Sequence, residues 1–270
     1  MSNIAQAFQN GKAFIGFVTG GDPCIEKTKE FALEMIRAGA DLIEIGIPFS
    51  DPIAEGPVIQ EANIRALNAG TTIEQLFTLI EDLRKETAVP LVFLTYLNPV
   101  FHYGKGAGYD AFFKRAAAAG LDGIIIPDLP FEEQAPVREA ANQHGIDLIS
   151  LIAPTSEERI QQIAKAASGY IYIVSSMGVT GIRSEISTDL NAIVAAVRQV
   201  TKVPTAIGFG IHTPEQAANM ATIADGVIVG SAIVKIAAEH GANAGPHIYE
   251  YVREMKAAID LFFVLPHTGL

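Results

Sequence analysis

Short apolar runs rich in β-branched residues recur along the chain, near 14–19 (FIGFVT), 41–47 (DLIEIGI), 91–96 (LVFLTY) and 121–126 (LDGIII). Four more follow near 147–152 (DLISLI), 170–175 (YIYIVS), 203–208 (VPTAIG) and 225–229 (DGVIV). Each has the length of a strand, and continuous apolar character predicts burial on both faces. Between them, apolar positions recur at helical spacing over 25–38, 59–69, 73–86, 108–119, 132–144, 156–167, 188–200 and 213–222. Strand–helix alternation of this regularity predicts a parallel sheet covered by helices. Eight such units without a Gly/Ser/Pro-rich linker predict one α/β domain over residues 1–270, a single (β/α)₈ TIM barrel. The widest interval, between the second and third strands, has room for two helices. Residues 231–262 read as a short helix and then a longer one, so the barrel carries extra helices.

In a barrel of this kind, chemistry belongs at the carboxyl ends of the strands and in the loops that follow them. The stretch 41–57, DLIEIGIPFSDPIAEGP, answers that description best. It carries Glu44 inside an apolar strand, then Asp51 and Glu55 in a Gly/Pro-rich loop. Strand alternation puts Leu42, Glu44 and Gly46 on one face and Ile43 and Ile45 on the other. A carboxyl group buried there without a cation has a raised pKa and works as either acid or base. Asp51, Glu55 and Asp128 also fit ordinary turn or helix-start positions.

A phosphate signal lies further on. Gly208-Phe209-Gly210 follows the seventh strand, Gly230-Ser231 follows the eighth and opens a helix, and Val179-Thr180-Gly181 lies after the sixth. Loops in these places expose backbone N–H groups to an anion, helped by a helix dipole. The same residues also serve as loop punctuation, with Ser231 as a plain N-cap. Phe17, Tyr96 and Tyr172 offer an aromatic wall for a flat ligand, or else fill the core.

Composition narrows the classes. The chain has 270 residues, 49% of them hydrophobic, which is too apolar for disorder. Its net charge of −11, from 30 acidic and 19 basic residues, gives no footprint for nucleic acid or an anionic membrane. No apolar run is long enough to span a bilayer, and the first residues form no apolar signal core. The single cysteine, Cys24, excludes an intramolecular disulfide. A cytoplasmic protein is expected. No lysine falls within a predicted strand, which argues against a Schiff base, and the scattered histidines lack zinc-site spacing. No metal site is expected. Carboxylate chemistry is what remains.

Seven segments then carry a resemblance. FVTGGDP (17–23), IEIGIPFSDPIAEGP (43–57), TYLNPVF (95–101), IIIPDLPFEE (124–133), SSMGVTG (175–181), GFGI (208–211) and VIVGSAIVK (227–235) stand in the order found in the tryptophan synthase α-subunit family, which the chain resembles over nearly its whole length. The resemblance implies a lyase of tryptophan biosynthesis that cleaves indole-3-glycerol phosphate to indole and glyceraldehyde 3-phosphate. It implies Glu44 as the acid/base and Glu55 as the partner of the indole N–H, where family members commonly have Asp. It makes Tyr172 a neighbour of the substrate and the backbone at Gly181, Gly210, Gly230 and Ser231 the phosphate cradle. Thr180 would meet the acidic loop when the loops near 48–60 and 176–188 close. The chain would need no cofactor of its own. Pyridoxal phosphate would belong to a β subunit, docked on loops carrying Asp51, Asn98 and Pro127 in an α2β2 heterotetramer. A stand-alone lyase releasing free indole and a barrel acting mainly as an allosteric activator are the other readings.

Overall fold

The computed structural model describes residues 3–104, 108–175, 189–208 and 210–264. Eight parallel strands form the expected barrel: β1 (Ala13–Thr19), β2 (Leu42–Gly46), β3 (Leu91–Leu94), β4 (Gly123–Ile125), β5, β6 (Ile171–Val174), β7 (Thr205–Gly208) and β8 (Gly226–Val229). Strand β5 comes in two segments, Asp147–Leu148 against β4 and Ser150–Ile152 against β6. One strand thus changes neighbour at Ile149, whose N–H still reaches Ile124 O at 2.9 Å. That exchange joins the two ends of the sheet into a ring.

Around the ring stand α1 (Ile25–Arg37), α2 (Pro57–Asn68), α3 (Ile73–Arg84), α4 (Leu97–Phe101), α5 (Asp110–Ala119), α6 (Ala135–Gln143), α7 (Glu157–Lys165), α8 (Leu190–Arg198), α9 (Pro214–Ile223), α10 (Ser231–His240) and α11 (Gly245–Val264). The two helices expected between β2 and β3 are α2 and α3, and the terminal pair is α10 and α11. The sequence pattern missed α4, which is too short to show a helical period. Its first amide, on Leu97, donates to the Asp128 carboxylate at 2.9 Å.

Outward-facing strand residues such as Ile43, Ile45, Phe93 and Ile124 bury themselves under the helices. The inward set is a separate core of Ile15, Leu42, Val92, Ile125, Ile149, Tyr170 and Ala206. A 3-10 turn, Asn3–Phe8, closes the amino-terminal end of this inner core with the buried side chains of Ile4 and Ala7. The polar-looking first residues did not announce that plug. The amino ends of the strands are tied down by aspartates. Asp122 accepts from Arg84, from Leu91 N–H (2.8 Å) and from Asn3 (3.0 Å), and Asp41 accepts from Phe14 N–H (2.8 Å) and Lys256 (3.0 Å). These groups anchor one end, leaving the other for loops.

Candidate active site

At the carboxyl end of the barrel, a cavity of about 270 Å³ opens between the inner core and α2. Apolar walls come from Phe17, Ile59, Leu94, Leu151, Val174 and Ile228, with Tyr172 and Pro127 beside them. Two carboxylates face this space, Glu44 and Glu55. Phe17 fits over β2 because residue 46 is glycine, since a Cβ there would stand 2.8 Å from the Phe17 ring. Gly208 likewise leaves room for the Tyr172 hydroxyl.

Glu44 sits mid-strand between Phe17 of β1 and Val92 of β3, on the inner face that alternation predicts. It is 1% exposed. Its partner is the Tyr170 hydroxyl, which donates to Oε1. Burial pushes the Glu44 pKa up to about 7, and the Tyr170 hydrogen bond, which favours the carboxylate, holds it from rising further. Near neutrality this group both holds and releases a proton. The sequence reading missed Tyr170, although strand alternation puts it on the same face as Tyr172, two residues on.

Glu55 ends the β2–α2 loop, one residue before the N-cap Gly56 and the helix-starting Pro57. It is buried as well, and burial raises its pKa. Hydrogen bonds from Asn63 Nδ2 (2.6 Å) and from Tyr96 oppose that rise. Gln60 Nε2 donates to the Glu55 carbonyl at 2.7 Å. Helix α2 therefore fixes both the backbone and the carboxylate of this residue. Arg65, two residues past Asn63, grips the buried Asp22 of the β1–α1 loop through two bonds of 2.8 and 2.7 Å, so α2 is itself anchored. Asn63 and Gln60 escaped the sequence reading because single amides on a helix carry no periodic signal.

Other expected residues fall into place differently. Tyr96 does not line the cavity. It lies behind the Glu55 loop, stacked on Phe49 at 5.2 Å, and its hydroxyl accepts from Ala54 N–H at 3.0 Å. Its pKa is pushed up to about 12, chiefly by burial, so it stays a proton donor toward Glu55. Gly230 is the N-cap of α10 and Ser231 its first residue, beside the Phe17 ring. Gly210 has φ +79°, a value that favours glycine. Its carbonyl accepts from the His212 ring at 2.8 Å, so that histidine braces the turn after β7. Asp51 is exposed in the β2–α2 loop and Asn98 is exposed on the short helix α4, whereas Pro127 is half-buried on the cavity wall. Thr180 and Gly181, with the rest of the 176–188 loop, lie outside the described residues. Among the described residues, no group of three or more His, Cys, Asp and Glu side chains is placed to hold a metal ion.

Two buried carboxyls in one apolar cavity, each held by a different set of donors, can exchange a proton near neutral pH at Glu44 and set negative charge against a ligand at Glu55. Removing the Tyr170 hydroxyl tests the tuning. Tyr170→Phe deletes the hydrogen bond that lowers the Glu44 pKa, so the Glu44 titration moves above its present value of about 7. The pH–rate profile of the variant should shift toward alkaline pH, and an unmoved profile would show that Tyr170 does not govern Glu44.

Known proteins match this chain over most of its length. The family described as tryptophan synthase alpha chain matches residues 4–260. The tryptophan synthase alpha chain of Lacticaseibacillus casei is 52% identical over 260 residues, covering 96% of each chain. That of Lactiplantibacillus plantarum is 49% identical over 261 residues, covering 96% of this chain and 97% of the relative. Among solved structures, the Legionella pneumophila alpha chain is similar with a TM-score of 0.85 at 35% identity, covering 98% of this chain and 100% of that one. A Pyrococcus furiosus structure, described as the mutually activating tryptophan synthase a2b2 complex, is similar with a TM-score of 0.83 at 35% identity, covering 92% and 99%.

Proposed function

The chain belongs to the tryptophan synthase alpha chain family, and on that premise we propose that Glu44 and Glu55 are the groups with which it cleaves indole-3-glycerol phosphate to indole and glyceraldehyde 3-phosphate. The observation that carries this reading is the Glu44 carboxyl, buried in the cavity with a pKa of about 7. The protonated acid gives its proton to indole C3. The ring becomes an indoleninium and can accept an electron pair. Glu44, now a carboxylate, takes the proton of the glycerol hydroxyl. A C=O bond forms at that carbon, the bond to C3 breaks, and its electrons restore the indole. Glu55 accepts from the indole N–H and stabilises the positive charge that develops there. Phe17 and Tyr172 flank the ring.

The phosphate goes to the N–H groups at Gly210, Gly230 and Ser231, where the α10 dipole favours negative charge, joined by Gly181 and Thr180. Ser231→Asp places a carboxylate at that position, so affinity for the phosphate ester should fall about tenfold or more. Unchanged affinity, read by competition with glycerol 3-phosphate, would move the phosphate elsewhere.

The partner is a tryptophan synthase β subunit in an α2β2 complex, and pyridoxal phosphate belongs to that subunit, this chain needing no cofactor. Asp51 and Asn98, both exposed, and Pro127 mark the loops offered to it, with Ile53 beside Asp51 leaving 72% of its surface in solvent. The chain acts as one domain, in the cytoplasm. Among the described residues, no helix is long and apolar enough to cross a membrane. Release of glyceraldehyde 3-phosphate from indole-3-glycerol phosphate, followed with and without a β subunit, tests the assignment. Slow release that rises with the partner is expected. Absence of release in both conditions would overturn it.

A further inference from the structure

The opposite, amino-terminal end of the barrel holds a larger opening than the active site, a groove of about 520 Å³. Three cations line it from three separate elements. Lys12 precedes β1, Arg198 ends α8, and Lys202 lies in the loop before β7. Phe8 and Pro204 supply apolar wall, and Asp225 is the one acid. In a chain of net charge −11, this is a local excess of positive charge.

Asp225 cancels part of that excess, and its pull on Lys12 outweighs the push from Arg198. Its Oδ2 already accepts from Thr205 N–H (2.9 Å) and Oγ1 (3.0 Å), and its Oδ1 meets Arg198 only at 3.3 Å. Lys12 Nζ donates to Ala224 O at 2.7 Å, leaving two of its three N–H bonds for another acceptor. Lys202 is exposed and has no ion pair among the described residues. Burial lowers the Lys12 pKa and the neighbouring Arg198 lowers it further, against the pull of Asp225. With three cations lining the groove against one acid, a net positive charge is left for an anion to meet.

We propose that this groove is a second ligand site, which binds a small organic anion through Lys12, Arg198 and Lys202, with the apolar part of the ligand against Phe8 and Pro204. The favoured class is an aromatic carboxylate. The carboxylate meets the cations, and the size and apolar wall of the groove exceed what an inorganic ion needs. The site also touches the chemistry at one remove. The Phe8 ring packs on Tyr170 at 6.0 Å between centroids, and Tyr170 donates to Glu44. The inference does not depend on the reaction assigned to the cavity.

The test is a binding titration of the full chain, isotope-labelled, by NMR with benzoate as probe. Benzyl alcohol serves as the uncharged control and inorganic phosphate as the anion without a ring. Benzoate should shift the amides of residues 8–12, 198–203 and 225, more strongly than either control. The Lys202→Glu variant, at an exposed residue without an ion pair, should keep its fold and weaken benzoate binding by about fivefold or more. Shifts confined to the active-site cavity would overturn the proposal. So would equal binding of benzyl alcohol, stronger binding of phosphate, or indifference to Lys202→Glu.

Discussion

Glu44→Gln should lower turnover of indole-3-glycerol phosphate by about 10³-fold or more and leave a protein more stable than the parent above neutral pH. The first effect follows from the loss of a buried carboxyl in the cavity that titrates near 7. An amide can neither give a proton to C3 nor take one from the glycerol hydroxyl. The second follows from linkage. The unfolded chain loses the Glu44 proton near 4.5, whereas the folded chain holds it to about 7. Below 4.5 both states are protonated and the residue costs nothing electrostatically. As pH rises from 4.5 to about 7, the folded state alone keeps its proton and stability falls. Above about 7 the penalty levels off near 3 kcal/mol. Glutamine carries no such penalty, and its amide oxygen still accepts from Tyr170. Its buried N–H₂ has a desolvation cost of its own, so the net gain above neutrality is about 2 kcal/mol. Denaturant midpoints of the two proteins at acid and alkaline pH check this, and a variant equally unstable at both would refute the buried, titrating carboxyl.

Glu55→Ala should cost roughly 10³-fold in turnover, because it removes the charge that the proposed mechanism sets against the indole N–H. It also leaves the buried Asn63 amide without the acceptor now 2.6 Å away. Glu55→Asp is a different matter. The Gln60 and Tyr96 bonds hold the loop backbone at residues 54 and 55, and those bonds survive the change. The shorter side chain shifts the carboxylate by about one bond length within a loop that remains anchored. Activity within about tenfold of the parent is expected, since the carboxylate keeps its charge on a loop whose backbone stays anchored. An inactive Asp variant would show that the loop is built around the longer side chain. Single-turnover release of glyceraldehyde 3-phosphate distinguishes these outcomes from a mere change in affinity.

The barrel was legible because each strand is buried on both faces and so reads as an unbroken apolar run. The register of Glu44 was legible for a related reason, since Leu42, Glu44 and Gly46 share a face whatever surrounds them. What surrounds them was not legible. Tyr170 reaches Glu44 across 126 positions of the chain, and no local pattern links the two. The role of Tyr96 changed for the same cause. As an aromatic ending a predicted strand it suited a ligand wall, yet the β2–α2 loop folds over it and turns it into a support for Glu55. The plug formed by Ile4 and Ala7 and the short helix Leu97–Phe101 lack the length that makes a period visible. The fifth strand was placed correctly, but its change of neighbour at Ile149 depends on closing the ring, which belongs to the whole barrel.

The central claim is that Glu44 exchanges a proton near neutral pH inside the cavity. Infrared difference titration, wild type minus Glu44→Gln, reads the carbonyl band of one protonated carboxyl directly. The band should be present at pH 5 and vanish with a midpoint near the expected value of about 7. A band lost near the ordinary 4.5 would mean an ionised, solvated carboxylate at neutral pH, and Glu44 would no longer serve as the acid.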